Sequence, residues 1–197
     1  MSSREQILAS VAKNQPIPVA LPEIPIFSSE KSDLVEKFTT VAVGIGSKVF
    51  RVNSLKEAKQ ILLKEHKASK RIISTFPQFS DVAEVSIVPS TDPHTMEDVD
   101  LAILEAHLGV AENSALWVTE ELLPMRVTPF ICQHLALVVS PKAILPLMHH
   151  AYEQIGMKDY GFGVFIAGPS KTADIEQSLV LGAHGPRTLT IFLLEEQ

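Results

Sequence analysis

The chain has 197 residues, 17 of them basic and 23 acidic, for a formal charge of −6, and 46% of its residues are hydrophobic. That length fits one domain able to bury a sizeable core, and the hydrophobic share excludes a wholly disordered chain. Net acidity argues against a nucleic-acid backbone binder, which draws its affinity from clustered Lys and Arg. The single cysteine, Cys132, excludes an internal disulfide framework, a Cys-based zinc finger and a complete iron–sulfur site.

In chain order, Ser2 and Ser3 ahead of Glu5 and Gln6 make a capping-box pattern that opens a short helix, with Ile7, Leu8 and Val11 on one face. Met1 to Asn14 lacks the continuous apolar core of a signal peptide. Pro16, Pro18, Pro22 and Pro25 then stiffen a linker. Residues 1–28 are therefore expected to form an arm, either a loosely tethered terminus or a helix that docks on another subunit. Residues 29–197 are expected to form a single α/β domain.

Within that domain Leu34, Val35 and Phe38 mark a helix and Lys48–Val52 a strand; Ser54 and Glu57 open a helix carrying Leu55, Ala58, Ile61 and Leu62. Strands are predicted over Arg71–Thr75 and Val85–Val88. A turn-rich acidic loop, Ser90–Asp98, precedes an apolar stretch from Leu101 to Ala111. Further strands are predicted over Ser114–Thr119, Leu135–Val139, Gly163–Ala167 and Thr188–Leu194, and helices over Pro141–Ile155 and Ala173–Leu181. Such alternation predicts an α/β fold, with a mostly parallel sheet covered by helices on both faces. The apolar runs fall far short of the ~20 residues needed to span a bilayer. The expectation is a cytoplasmic protein without a membrane span.

Open sheets of this kind bind ligands beyond the carboxyl ends of their strands. The run from Gly163 to Glu176 reads as a strand, a sharp turn at Gly168-Pro169 and a helix start. Ser170 or Thr172 would cap free N–H groups there, with Asp174 and Glu176 in the first turn. The same N–H groups can hold a carboxylate or phosphate, helped by Lys171 and opposed by Asp174 and Glu176. Gly182 reads as the helix C-terminal cap. After it, His184 and Arg187 suit either recognition of a carboxylate or interaction with the helix C-terminus. Pure capping explains every one of these residues equally well.

This segment, Gly168-Pro-Ser-Lys-Thr-Ala-Asp-Ile-Glu-Gln-Ser-Leu-Val-Leu-Gly-Ala-His-Gly-Pro-Arg187 followed by Thr-Leu-Thr-Ile-Phe-Leu-Leu194, resembles the signature of the lactate-utilization (LUD) domain family. It is most similar to the short, cluster-free lactate utilization protein C branch, which the N-terminal helix, Pro-rich linker and length also fit. The resemblance implies a fold like that of the sugar-phosphate isomerase and CoA-transferase superfamily. It further implies an accessory role beside separate iron–sulfur subunits that oxidise L-lactate to pyruvate, with no cofactor in this chain. The Gly168–Arg187 residues Gly168, Ser170, Lys171, Thr172, Asp174, Glu176, His184 and Arg187 would then bind a small carboxylate or anionic ligand, or a partner. Apart from the resemblance, the arm would serve homo-oligomer formation where it docks on another subunit and would be a loosely tethered terminus where it does not.

Glu112 and Asn113 interrupt an apolar run, a poor place for charge unless it is paired or used. The family usually has an acid here followed by Thr-Gly, whereas this chain has Asn113-Ser114, and Ser cannot copy the conformational freedom of glycine. Glu112-Asn113 also resembles part of the Glu-Asn-Gly element of CoA-transferases, in which the glutamate is a nucleophile. A turn carboxylate bonded to backbone groups is the alternative. A stand-alone transferase using Glu112, or a small-ligand regulatory module, are thus the competing functions. His94 and His107 near the carboxylates of Thr91–Asp100 show no metal-ligand spacing, and no metal site is assigned. Gly44-Ile-Gly46-Ser-Lys-Val49 lacks the third glycine of a dinucleotide fingerprint.

Overall fold

A computed structural model of the chain describes residues 2–20, 22, 33–85, 87, 92–172 and 180–195. Helix α1, Ser3–Lys13, carries the expected capping box: the Ser2 hydroxyl accepts from the Glu5 amide and the Glu5 carboxylate accepts from the Ser2 amide. It buries none of its residues. Helix α2, Leu34–Gly44, is capped by the Asp33 carboxylate and buries Phe38 and Ala42, one turn apart. Strand β1, Lys48–Val52, leads into helix α3, Leu55–Glu65, which buries Leu55, Ala58 and Leu62. Ser54 caps α3 by accepting from the Glu57 amide, while the Glu57 carboxylate reaches one residue further back, to the Asn53 amide.

Strands β2, Ile72–Ser74, and β3, Leu101–Glu105, follow, then β4, Leu108–Val110, and β5, Leu116–Thr119. A short helix α4, Thr128–Ile131, precedes β6, His134–Val139. Strand β7, Ile144–Leu145, helix α5, Met148–Ile155, and strand β8, Gly163–Ile166, come next. The chain ends through β9, Lys171–Thr172, β10, Val180–Leu181, and β11, Thr188–Leu194.

Five strands form one sheet in the order β1-β11-β6-β3-β2, every neighbouring pair parallel. Its central strands are apolar on both faces, as a sheet covered on both sides requires. Leu135, Leu137, Val139, Leu189, Ile191 and Leu193 enter one core with Phe38 and Ala42 of α2. The alternate residues Ala136, Val138 and Phe192 enter a second core with Leu55, Ala58 and Leu62 of α3.

The face toward α2 is not covered by helices alone. A second sheet, β7-β4-β5-β8, lies there, and its Leu116, Val118 and Ile144 share that core. Two of its pairings are antiparallel and one is parallel. Its other side packs Leu108, Val110 and Trp117 against Ala151 and Ile155 of α5. The apolar stretch Leu101–Ala111 therefore contributes to both sheets. The Ala106 amide donates to Val138 of the first sheet, and the next amide, His107, donates to Trp117 of the second.

Three predicted elements differ from the structure. The helix expected over Pro141–Ile155 begins only at Met148, because Pro146 removes a donor and disfavours helical geometry before it, leaving room for β7. The helix expected over Ala173–Leu181 does not reach its predicted end: Val180 pairs antiparallel with Thr172 and Leu181 with Lys171. Residues 173–179 lie outside the described residues. Of the strand expected over Val85–Val88, Val85 and Ile87 lie outside any strand, just after a parallel bridge between Glu84 and Ile73, and Ser86 and Val88 lie outside the described residues.

Ser114, in the turn between β4 and β5, has φ of +56° and is fully buried, and its hydroxyl has no hydrogen-bond partner. The Asn113 carboxamide holds the turn by accepting from the Ala115 amide at 3.0 Å. Left-handed backbone costs an L-residue roughly 1–2 kcal/mol, and a buried unpaired hydroxyl adds to that. Ser114→Gly is expected to stabilise the chain by about 1 kcal/mol, read as a raised urea midpoint with an unchanged m-value.

Candidate functional site

The described residues of the Gly168–Arg187 segment, 168–172 and 180–187, lie at the amino edge of the five-stranded sheet, opposite to the carboxyl edge that parallel sheets commonly use. Gly168, with φ of +74°, turns against the end of α2, where an added Cβ would lie 3.1 Å from Ile45 Cδ1. Lys171 Nζ donates to the Ile45 carbonyl at the C-cap of α2. Its charge thus serves a helix C-terminus, where cations are favoured. The Ser170 amide donates to the Pro186 carbonyl at 2.8 Å, and the Ser170 carbonyl accepts from the Gly182 amide at 3.0 Å. Thr172 sits in the β9–β10 ribbon.

The backbone of Ser170 and Thr172 takes part in this ribbon; the helix start they are expected to cap lies outside the described residues. Gly182, with φ of +78°, follows a strand and not a helix, and its lack of a side chain makes room for Arg187 Cγ. Asp174 and Glu176 lie outside the described residues. His184 and Arg187 are exposed. The Arg187 amide donates to the Gln133 carbonyl at 2.9 Å, which sets Arg187 at the sheet edge immediately before β11.

That edge carries a cleft of about 360 Å³, assembled by topology from residues far apart in sequence. Lys48 opens β1, His134 opens β6 and Thr188 opens β11, while Asp100 immediately precedes β3. His66 is the C-cap of α3, which returns the chain to this edge. The His66 and His134 rings are 4.6 Å apart between centroids and tilted by 46°. His134 Nδ1 and Thr188 Oγ1 are 2.8 Å apart. Lys48 Nζ pairs with Glu65 Oε1 at 2.8 Å, and Asp100 Oδ2 accepts from the Lys70 and Arg71 amides at 2.6 and 3.2 Å.

Both imidazoles are held below the ordinary histidine value. Burial is the main cause at His66, with His134 and Lys48 adding to it and Glu65 opposing. At His134 burial again leads, Asp100 opposes it and Arg187 reinforces it. The Asp100 carboxyl is lowered, first by the Lys70 amide. Sequence reasoning missed this cluster: its members show no motif spacing, and only the parallel register of Leu101, His134 and Thr188 aligns them.

The other sequence candidates are not brought to the cleft. Glu112 Oε2 accepts from the Met148 amide, the first of α5, at 3.0 Å. This is the backbone-bonded turn carboxylate, placed where a helix N-terminus favours negative charge. In the acidic loop, Asp92 Oδ1 lies 2.9 Å from His94 Nδ1, and Asp98 pairs with Arg71, which also holds Glu84. His107 Nε2 is 2.7 Å from Thr119 Oγ1 and 3.2 Å from Glu121 Oε1. Among the described residues no group of three or more His, Cys, Asp or Glu side chains is placed to hold a metal ion. The Cys132 thiol is buried and pushed up to about 12, chiefly by desolvation.

A histidine whose folded-state proton affinity is lowered makes unfolding take up protons, so stability rises with pH. Stability is expected to fall as the pH drops below about 6.5, the ordinary imidazole value, toward the lower folded values of His66 and His134. A melting-temperature profile between neutral and mildly acidic pH checks this, and His134→Asn is expected to flatten that limb.

The chain resembles several known proteins over most of its length. Lactate utilization protein C of Oceanobacillus iheyensis is 23% identical over 151 residues, covering 71% of this chain and 65% of that protein. The chain thus matches slightly less than two thirds of that relative. Lactate utilization protein C of an Exiguobacterium species is 25% identical, covering 85% and 80% respectively. An uncharacterized protein of Neisseria meningitidis serogroup B is 26% identical, covering 98% and 94%. Among solved structures, a DUF162 family protein from Deinococcus radiodurans superposes with a TM-score of 0.66 at 14% identity, over 82% of this chain and 96% of that one. That similarity speaks for the fold alone. No helix among the described residues is long and apolar enough to cross a membrane. The LUD domain profile matches residues 93–194, more than half of the sequence, and the chain belongs to the LUD domain family.

Proposed function

We propose that this chain is an accessory subunit of an L-lactate-oxidising system in which separate subunits bear the iron–sulfur clusters. The observation that carries the reading is similarity, over most of the chain, to proteins named lactate utilization protein C. The residue inventory supports it. With Cys132 as the single thiol, buried and pushed up to about 12, the chain cannot supply the thiolates a cluster requires. On this reading, electrons leaving lactate reach clusters borne by a partner. The small carboxylate, or the partner itself, is met at the Gly168–Arg187 face, where Arg187 is exposed as a two-pronged donor for a carboxylate.

The test is a tagged pull-down from the native host grown on L-lactate, read by mass spectrometry and visible absorbance. Stoichiometric cluster-bearing partners and lactate-dependent electron transfer only in their presence are the expected result. A colourless protein that brings down no partner would overturn the reading. Arg187→Ala is expected to lower lactate-dependent electron transfer by about tenfold, the loss of one charge-assisted hydrogen bond, with the melting temperature unchanged. Loss of both would make Arg187 a structural group only.

A further inference from the structure

We infer that the amino-edge cleft between His66 and His134 binds one small monocarboxylic acid, held as its carboxylate against a single imidazolium. The inference deepens the reading above, on which it rests: of the two ligands open there, it gives the carboxylate to this cleft, states what balances its charge, and leaves the Arg187 face to the partner subunit.

The volume, about 360 Å³, admits a small acid together with several bridging waters. Its fixed charges offset one another. Lys48 is paired with Glu65, and Asp100 and Arg187 act on His134 in opposite senses. The variable charge is therefore the imidazole pair. With ring centroids 4.6 Å apart, one proton on the pair strongly opposes a second. A monocarboxylate brings one negative charge, which one imidazolium balances.

A dianion would need both rings charged and would also face the carboxylates of Glu65 and Asp100. The C-terminus of α3, whose cap is His66, favours a cation at this point and not a bare anion. The site is thus built to accept a proton together with an anion. Thr188 fixes the His134 ring through Nδ1 and leaves Nε2 for the ligand. The hydroxyl-bearing residues Ser69 and Thr190 line the same cleft and suit a 2-hydroxy or 2-oxo oxygen.

The histidine Cε1–H resonances of the full chain, followed by NMR during titration with sodium L-lactate and sodium pyruvate at fixed ionic strength, test this. The expected result is a saturable shift of the His66 and His134 signals, lost in His66→Gln and in His134→Asn. Affinity should weaken about tenfold per pH unit above neutrality, with about one proton taken up per ligand, measured calorimetrically in two buffers of different ionisation enthalpy. That proton count needs only the unsubstituted chain, so it holds even where a histidine variant misfolds.

No saturable shift overturns the inference, as does binding without proton uptake or binding that survives in both folded variants. Equal or tighter binding of inorganic phosphate, or capture of Zn2+ by the two rings without competition from lactate, overturns it too. A pull-down rich in cluster-bearing partners beside a silent titration removes this site and leaves the accessory-subunit reading standing. A lactate shift in a partner-free protein does the reverse.

Discussion

Two consecutive amides donate in different directions: Ala106 to Val138 in the parallel sheet and His107 to Trp117 in the mixed one. Every layer of the molecule follows from that divergence. Upstream, β3 lies between β2 and β6 in a sheet whose faces both bury apolar side chains. Downstream, β4 starts a second sheet that closes one of those faces and presents its own outer side to α5. Backbone polar groups buried at such a junction must all find partners, and the switch between sheets meets this requirement without leaving a loop in the interior.

The strongest sequence signals were those set by long apolar runs. Lys48–Val52 matches its predicted bounds, and the observed strands His134–Val139 and Thr188–Leu194 agree within one residue. In the latter two, side chains on both faces are buried, so the run is continuous and apolar, whereas β1 is an edge strand with Lys48 and Arg51 exposed and Val52 its one buried residue. The second sheet was largely hidden because β4 and β7 are three and two residues long, too short for any periodicity. Pro146 was the available signal against one long helix from Pro141. The ribbon of β9 and β10 owes its pairing to neighbours across the chain, which local propensity does not report.

The site was less legible than the fold. Glu112 could be read as a nucleophile or as a backbone-bonded carboxylate, since a charge interrupting an apolar run must find donors, and the donor it has, the Met148 amide, is visible only once α5 is placed. The Gly168–Arg187 run stands out in sequence, yet the structure gives Lys171 to the end of α2 and the backbone of Ser170 to Pro186 and Gly182. The imidazole pair carries no local pattern. His66 ends a helix and His134 starts a strand, and they meet because α3 returns the chain to the edge where β6 begins. Parallel topology, not spacing, creates that neighbourhood.

The alignment of His134 with Thr188 and Leu101 also bears on how the sheet finds its pairing. A strand with one wet face is locked in register, because a slip by one residue would expose its apolar side. Here both faces of β3, β6 and β11 are apolar, so a slipped strand would hide its side chains nearly as well as the native one. What distinguishes the native pairing is the polar row at the strand starts, where His134 meets the Thr188 hydroxyl and its amide meets the Asp100 carbonyl. The groups that line the cleft therefore double as the index marks by which the central strands are aligned, so a substitution there also touches the fidelity of folding.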